Sequence, residues 1–254
     1  MGGVMSTLLI LCLGAPIFAL LTATDWSSFS AALAHPLFMP AVWLSIRTSI
    51  VSVGIIVLTG TPLAWWLSRN DSALRRVCSG LVDLPIVIPP AVVGLALLVI
   101  FGRRGLIGGP LDTGGITIAF TDRAVILAQV IVAAPFYVRA VTAAFRMVDS
   151  DRLLVARTLG AHPWDVLFRV VLPSARAGIS AGVSLAWARA LGEFGATLIF
   201  AGSLPGETQT MPLAILSALE VDVRLAIVFA LALAVIAVVA LIFVRRLRKA
   251  GEWL

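Results

Sequence analysis

RMVDSDRLLVARTLGAHPWDVLFRVVLPSAR, Arg146 to Arg176, is a long stretch in which charges return every few residues between two extended apolar runs. It reads as two short helices joined by a turn. Ser150 is placed to cap the first, with Asp151 in its first turn, where an acceptor and a negative charge suit the free N–H groups. Leu153, Leu154, Ala156 and Leu159 recur at helical spacing and give that helix an apolar face. Gly160 falls just past its last turn, where a left-handed residue stops a helix. Pro163 suits the first turn of the second helix. Trp164, Leu167, Phe168 and Val171 form its apolar stripe, and Pro173 closes it. Crossing a membrane does not require a greasy helix–turn–helix of this kind. Such a face suits docking onto another protein.

On either side the chain is oily. Of 254 residues, 60% are hydrophobic and 13% charged, and the mean hydropathy is +1.06. A soluble domain holds roughly 45–50% apolar and roughly 25% charged residues. There is too little polar material here to coat a soluble core, and too much apolar material for disorder. Six apolar segments stand out, at 4–23, 42–67, 81–101, 124–145, 177–201 and 225–244. Each has about the 20 residues that carry a helix across ~30 Å of hydrocarbon. The expected fold is all-α: a polytopic membrane protein of six transmembrane helices, one membrane domain over residues 1–254, with the lipid bilayer as its surroundings. The first segment lacks a basic start and a clear A-x-A site, so it reads as a retained helix and not as a signal peptide.

Arg and Lys set the orientation. With the N-terminus cytoplasmic, twelve basic residues fall in inside loops, among them Arg69, Arg75, Arg76, Arg146, Arg245, Arg246, Arg248 and Lys249. Four, Arg103, Arg104, Arg123 and Arg224, fall outside. That bias puts both termini and the 146–176 loop in the cytoplasm. It also accounts for the net charge of +6 without a nucleic-acid partner.

Two segments carry features that spanning alone does not explain. The third contains Pro85, Pro89 and Pro90 in DLPIVIPP. Each proline removes a backbone donor, so the helix must kink or break. In lipid, broken backbone survives only where protein or water covers it. The segment is either a bent stretch lining a path or a re-entrant entry to the helix. The fifth carries Gly178, Gly182, Ala186 and Ala190 at four-residue spacing, a small face for close helix packing, within the subunit or against a second copy. Further along it, Arg189 and Glu193 stand at i, i+4, on the order of 18 Å into the helix. Charge at that depth faces a cavity or a partner. The two either neutralise one another or lend positive potential to an anion route. Arg47 and Arg139 lie nearer helix ends, where a long side chain can snorkel.

Several chemistries are excluded. Lys249 is the one lysine, so no GxxxxGK[ST] phosphate loop can be written, and the chain does not energise itself by that route. Cys12 and Cys78 suggest neither a disulfide framework nor a zinc site. His35 and His162 are isolated, no HExxH occurs, and no His lies in a span. An intramembrane enzyme has no metal set or nucleophile–base pair to work with. No catalytic residue and no bound cofactor is expected. A stand-alone secondary transporter or channel would show inverted repeats, which are not evident.

The loop resembles the cytoplasmic signature of ABC-importer permeases: EAA, three residues, Gly, nine residues, then Ile-x-Leu-Pro. The matching positions are Leu154-Val155-Ala156, Gly160 and Val170-Val171-Leu172-Pro173. Ala156, Gly160, Leu172 and Pro173 agree. Leu154 stands where the family has Glu, and any ion pair that Glu would make is absent. The stretch ALGEFGATLIFAGSLPGETQTMPLAIL, Ala190 to Leu216, is similar to the molybdate and tungstate permeases of that superfamily, with sulfate and thiosulfate permeases the near alternative.

The resemblance implies a type I ABC importer. Its parts would be two copies of this chain, two ATPase subunits that hold ATP and Mg, and an extracytoplasmic oxyanion-binding protein, in a bacterial or archaeal plasma membrane. It implies that Ala156, Leu159, Gly160, Ala161, Trp164, Asp165 and Pro173 make the contact that couples transport to the ATPase. Pro85, Pro89, Pro90, Arg189, Glu193 and Phe194 become candidates for the path or gate.

Overall fold

A computed structural model describes residues 2–27, 29–69 and 72–250. Among them the regular elements are all helical. Hydrocarbon offers no water to pair with N–H and C=O groups, so each spanning segment satisfies its own backbone. In chain order the helices are α1 (Gly2–Ala23), α2 (Phe29–Leu33), α3 (Phe38–Leu67), α4 (Ala73–Val87), α5 (Pro90–Phe101), α6 (Gly108–Thr113) and α7 (Asp122–Arg146). Then follow α8 (Ser150–Thr158), α9 (Pro163–Val166), a π-helical turn (Leu167–Val171), α10 (Leu172–Ser174), α11 (Arg176–Leu191), α12 (Gly195–Ala201), α13 (Met211–Val221) and α14 (Val223–Ala250).

Helices α1, α3, α7 and the Val223–Val244 part of α14 are long and apolar enough to cross a membrane. Two bent pairs add to them: α4 meets α5 at 112°, and the Pro163–Ser174 run meets α11 at 77°. The molecule is a polytopic helical membrane protein with four to six crossings, according to whether each bent pair counts as one. Helix α4 begins well ahead of the apolar run at Leu81, because Ser72 caps it: its Oγ accepts the Arg75 N–H at 3.3 Å. Helices α2, α6 and α13 lie outside the six apolar segments; α13 is apolar but too short to span.

The contacts form two compact units. The first comprises the chain through Ser45 and Ser203–Val238. Its core joins Phe38 and Ala41 to Met211, Ala214, Ala218, Ala226 and Phe229. Ser45 Oγ accepts the Met211 N–H at 2.7 Å, which satisfies a free donor at the start of α13. Asp25 and Arg224 form an ion pair at 3.6 Å. The side chains of α1 are almost all exposed and form an apolar surface along the helix.

The second unit runs from Ile46 to Gly202 and takes in the chain from Val239. Helix α7 is its axis, buried at Ala128, Val132, Tyr137 and Val141. Helix α11 lies along it through small residues. A Cβ on Gly178 would overlap that of Ala144, and one on Gly182 would stand 3.2 Å from both Tyr137 and Val141. The GxxxG face is therefore spent within this chain. Polar pairs tie the helices together: Thr61 Oγ1 with Tyr137 Oη at 2.6 Å, Ser52 Oγ donating to Gln129 Oε1 at 2.9 Å, and Trp187 Nε1 donating to Ser49 Oγ at 3.0 Å. Arg47 and Arg139 do not simply snorkel. Arg47 pairs with Asp122 at 2.8 Å, and Arg139 pairs through both ends of its fork with Asp83. A distant carboxylate offers each more than the interface does.

Candidate functional site

The 146–176 loop is a built structure. Asp149, one residue before α8, caps it, with Oδ1 accepting the Asp151 N–H at 2.9 Å. The side chains of Ser150 and Leu153 lie outside the described residues. At the far end Gly160 takes φ of +79°. Across it the Ala161 N–H donates to the Ala156 carbonyl at 3.1 Å, the six-to-one bond of a Schellman stop. His162 then caps α9, its Nδ1 accepting the Trp164 N–H at 3.4 Å, with Pro163 in the first turn.

Pro173 does not close this helix at once. Its missing N–H and its ring disturb the ladder behind it, and the backbone widens there into the π-helical turn, with the Leu172 N–H reaching Leu167. The run ends one residue later, at Ser174, before the 77° bend into α11. The wider turn splits the expected stripe. Val166, Leu167 and Val171 are buried in the second unit's core, in the same cluster as Tyr137 and Phe145. Trp164 and Phe168 face outward, 56% and 61% exposed, their rings stacked at 6.2 Å. Leu154, Val155 and Leu159 are exposed as well. Asp165, half-exposed, pairs with Arg169 at 3.4 Å, while Ala156 and Ala161 pack partly against the core. The loop is thus anchored by one set of apolar side chains and presents another.

The candidate gate residues gather at two helix breaks. Pro85 sits inside α4 without breaking it; Pro89 and Pro90 make the 112° bend, as the cap and first residue of α5. The second break, between α11 and α12, interrupts a segment that reads as one continuous run. Glu193 and Phe194 lie within it, and Gly192 and Gly195 flank it. That Gly-Glu-Phe-Gly spacing was the available signal for the break. The two breaks touch: a Cβ on Gly195 would lie 3.2 Å from Pro90 Cβ and from the Ala91 nitrogen. Beside them Gly94 faces the Ala196 backbone with no room for a side chain.

Glu193 occupies the second break and is 1% exposed. Its Oε1 accepts the Ala196 N–H at 2.7 Å, and its Oε2 lies 2.6 Å from Arg189 Nη2. The positive end of α12 and the Arg189 guanidinium are thus both answered by one carboxylate of the chain. Arg189 and Glu193 thus form an ion pair at the break.

Spanning helices are broken beside a buried ion pair, and the loop between them presents an exposed apolar surface. The chain belongs to the family described as "Binding-protein-dependent transport system inner membrane component", whose model matches residues 60–250. It is a multi-pass inner-membrane protein. It is 44% identical over 222 residues to the molybdenum transport system permease protein ModB of Mycobacterium bovis, covering 87% of this chain and 84% of that one. It is 36% identical over 176 residues to the sulfate transport system permease protein CysW of Synechocystis, covering 69% and 64%. The fold matches the crystal structure of a bacterial ABC transporter involved in the import of the acidic polysaccharide alginate, with a TM-score of 0.76 and 18% identity, covering 98% of this chain and 94% of that one.

Proposed function

We propose that this chain is the permease subunit of an ATP-driven importer of molybdate or tungstate. The observation that carries the cargo is the 44% identity to the molybdenum permease over most of both chains. The weaker likeness to the sulfate permease favours sulfate as the second reading. In this reading two copies of the chain assemble with two ATPase subunits and an extracytoplasmic oxyanion-binding protein, with both termini and the loop in the cytoplasm. The side chains of Arg245, Arg248 and Lys249, part of the basic tail behind that orientation, lie outside the described residues.

The exposed face of Leu159, Trp164 and Phe168 seats the ATPase subunit. ATP and Mg belong to that subunit. Closure of the ATPase pair on nucleotide moves both loops, and each loop moves its own α11 across the 77° bend, so the paired breaks at Pro89–Pro90 and Gly192–Gly195 shift with it. Nucleotide shifts the equilibrium only as far as the loop contact differs between the two states. Labelled molybdate uptake tests the cargo. The importer, reconstituted with its binding protein, takes up molybdate when ATP is present, and excess tungstate suppresses this while excess sulfate does not. Suppression by sulfate at equal concentration makes the second reading the correct one.

A further inference from the structure

We propose that Tyr137 is the positioning residue that makes α3 follow the loop: its hydroxyl latches a proline joint in α3 onto α7. The inference rests on the importer reading above and adds to it the side chain that passes the movement on to α3. Tyr137 is the one tyrosine of the chain, and it is fully buried. It shares a core cluster with the loop anchors Val166, Leu167 and Val171. Two glycines make room for its ring. A Cβ on Gly60 of α3 would come within 2.9 Å of it, and one on Gly182 of α11 within 3.2 Å. The ring is therefore wedged between α3 and α11.

The hydroxyl does more than fill space. Thr61 Oγ1 lies 2.6 Å from the Val57 carbonyl oxygen and 2.6 Å from Tyr137 Oη. A threonine hydroxyl has one hydrogen to give. Thr61 donates it to Val57, so Tyr137 is the donor to Thr61. That bond lands at the weakest point of α3. Pro62, the next residue, has no N–H for the Leu58 carbonyl four residues back. A threonine hydroxyl bonded to its own helix loosens the ladder further, and helices bend at such places. On one side of the joint α3 is tied to α7 by Ser52 with Gln129, and on the other by Arg146 with the Leu67 carbonyl. Those bonds hold the two halves of α3; the Tyr137 bond holds the joint between them. Without it α7 and α11 still move with the loop, while α3 bends at Pro62 and lags.

The test uses the whole importer, with its ATPase subunits and binding protein, in liposomes, and reads ATP hydrolysed per oxyanion imported. Tyr137→Phe keeps the ring and removes the donor. It should assemble in normal amount and raise the ratio about threefold or more, the worth of one hydrogen bond. Thr61→Ser keeps the acceptor and should hold the wild-type ratio. Thr61→Val should raise the ratio as Tyr137→Phe does, and the two changes together should raise it no further, because they break one bond. A residue that only supports the fold lowers hydrolysis and uptake together and leaves the ratio alone. An unchanged ratio in Tyr137→Phe therefore overturns the proposal, and so does a raised ratio in Thr61→Ser or a further rise in the double variant. If Tyr137→Phe fails to assemble, Thr61→Val decides the same question. A wild-type importer in which ATP drives no oxyanion uptake removes the functional reading and this inference with it; a coupled wild type with unchanged variants removes this inference alone.

Discussion

The Ala161 N–H reaches back across Gly160 to the Ala156 carbonyl at 3.1 Å, and that bond fixes the angle at which the two loop helices leave one another. It requires Gly160 at φ +79°. A Cβ there would meet nothing within 4 Å, so a substitution acts through backbone strain and not through a clash. Gly160→Val should destabilise the turn by about 1–2 kcal/mol or more, and Gly160→Asn by less. Because the strain is confined to the loop, membrane insertion should be unchanged while ATP hydrolysis no longer drives uptake. Parallel measurement of ATPase activity and molybdate uptake checks this. Unchanged uptake in Gly160→Val counts against a coupling role for the turn.

Arg189 and Glu193 carry a second prediction. Glu193 is almost fully buried, and Arg189 is the cation beside it. Removing the arginine alone leaves a buried carboxylate without its counter-charge, a loss of about 3–5 kcal/mol. Arg189 keeps a quarter of its side chain exposed, which places the effect toward the lower figure. Arg189→Met should therefore lower the melting temperature of the detergent-solubilised complex. Adding Glu193→Gln removes the uncompensated charge, and its amide oxygen can still accept from Ala196, so the double variant should recover most of the loss. A single variant that melts like the wild type yet transports slowly would instead assign Arg189 to the anion route.

The close approach of α5 to α12 gives a third. At Gly94 a new methyl would come within 2.7 Å of the Ala196 carbonyl oxygen and 2.8 Å of its Cα, and backbone cannot step aside as a side chain can. Gly94→Ala should destabilise by about 1–3 kcal/mol through overpacking. Gly54→Ala is the matched control: the site is helical, and nothing lies within 4 Å. It should be neutral or mildly stabilising. Thermal melting of the two variants side by side decides it, and equal melting would mean the breaks are not held by close packing.

Apolar segments were legible because lipid dictates composition and length directly, and the bend at Pro89–Pro90 because two adjacent prolines remove two successive backbone donors. The α11–α12 break was not read: Ala190–Ala201 is apolar enough to pass for continuous helix, and its signal is only Gly192 and Gly195 on either side of Glu193. The partners of Arg47 and Arg139 lie 75 and 56 residues away in sequence, beyond any local pattern. In the loop, the stop at Gly160 follows from one residue's conformational freedom. The sorting of the apolar stripe does not, because periodicity reports which side chains are apolar and not which side the core is on. The π-helical turn then moves Trp164 and Phe168 away from Leu167 and Val171.

That sorting supplies the last prediction. Trp164 and Phe168 are exposed and stacked on one another, while Leu167 and Val171 are buried. Truncating the exposed pair removes no core contact, so Trp164→Ala with Phe168→Ala should leave the melting temperature of the isolated chain within a degree or two. If the pair anchors the ATPase subunit, each ring is a candidate for a loss of about 2 kcal/mol in binding, and the ATPase should no longer co-purify. Leu167→Ala should do the reverse: a cavity loss of about 2–5 kcal/mol in stability, with the exposed stack still present and the ATPase still bound wherever the chain remains folded. Pull-down of the ATPase measured against melting temperature for the two variants separates the anchoring face from the docking face. Retention of the ATPase by the Trp164 and Phe168 double variant would move the docking surface elsewhere on the loop, to Leu154, Val155 and Leu159.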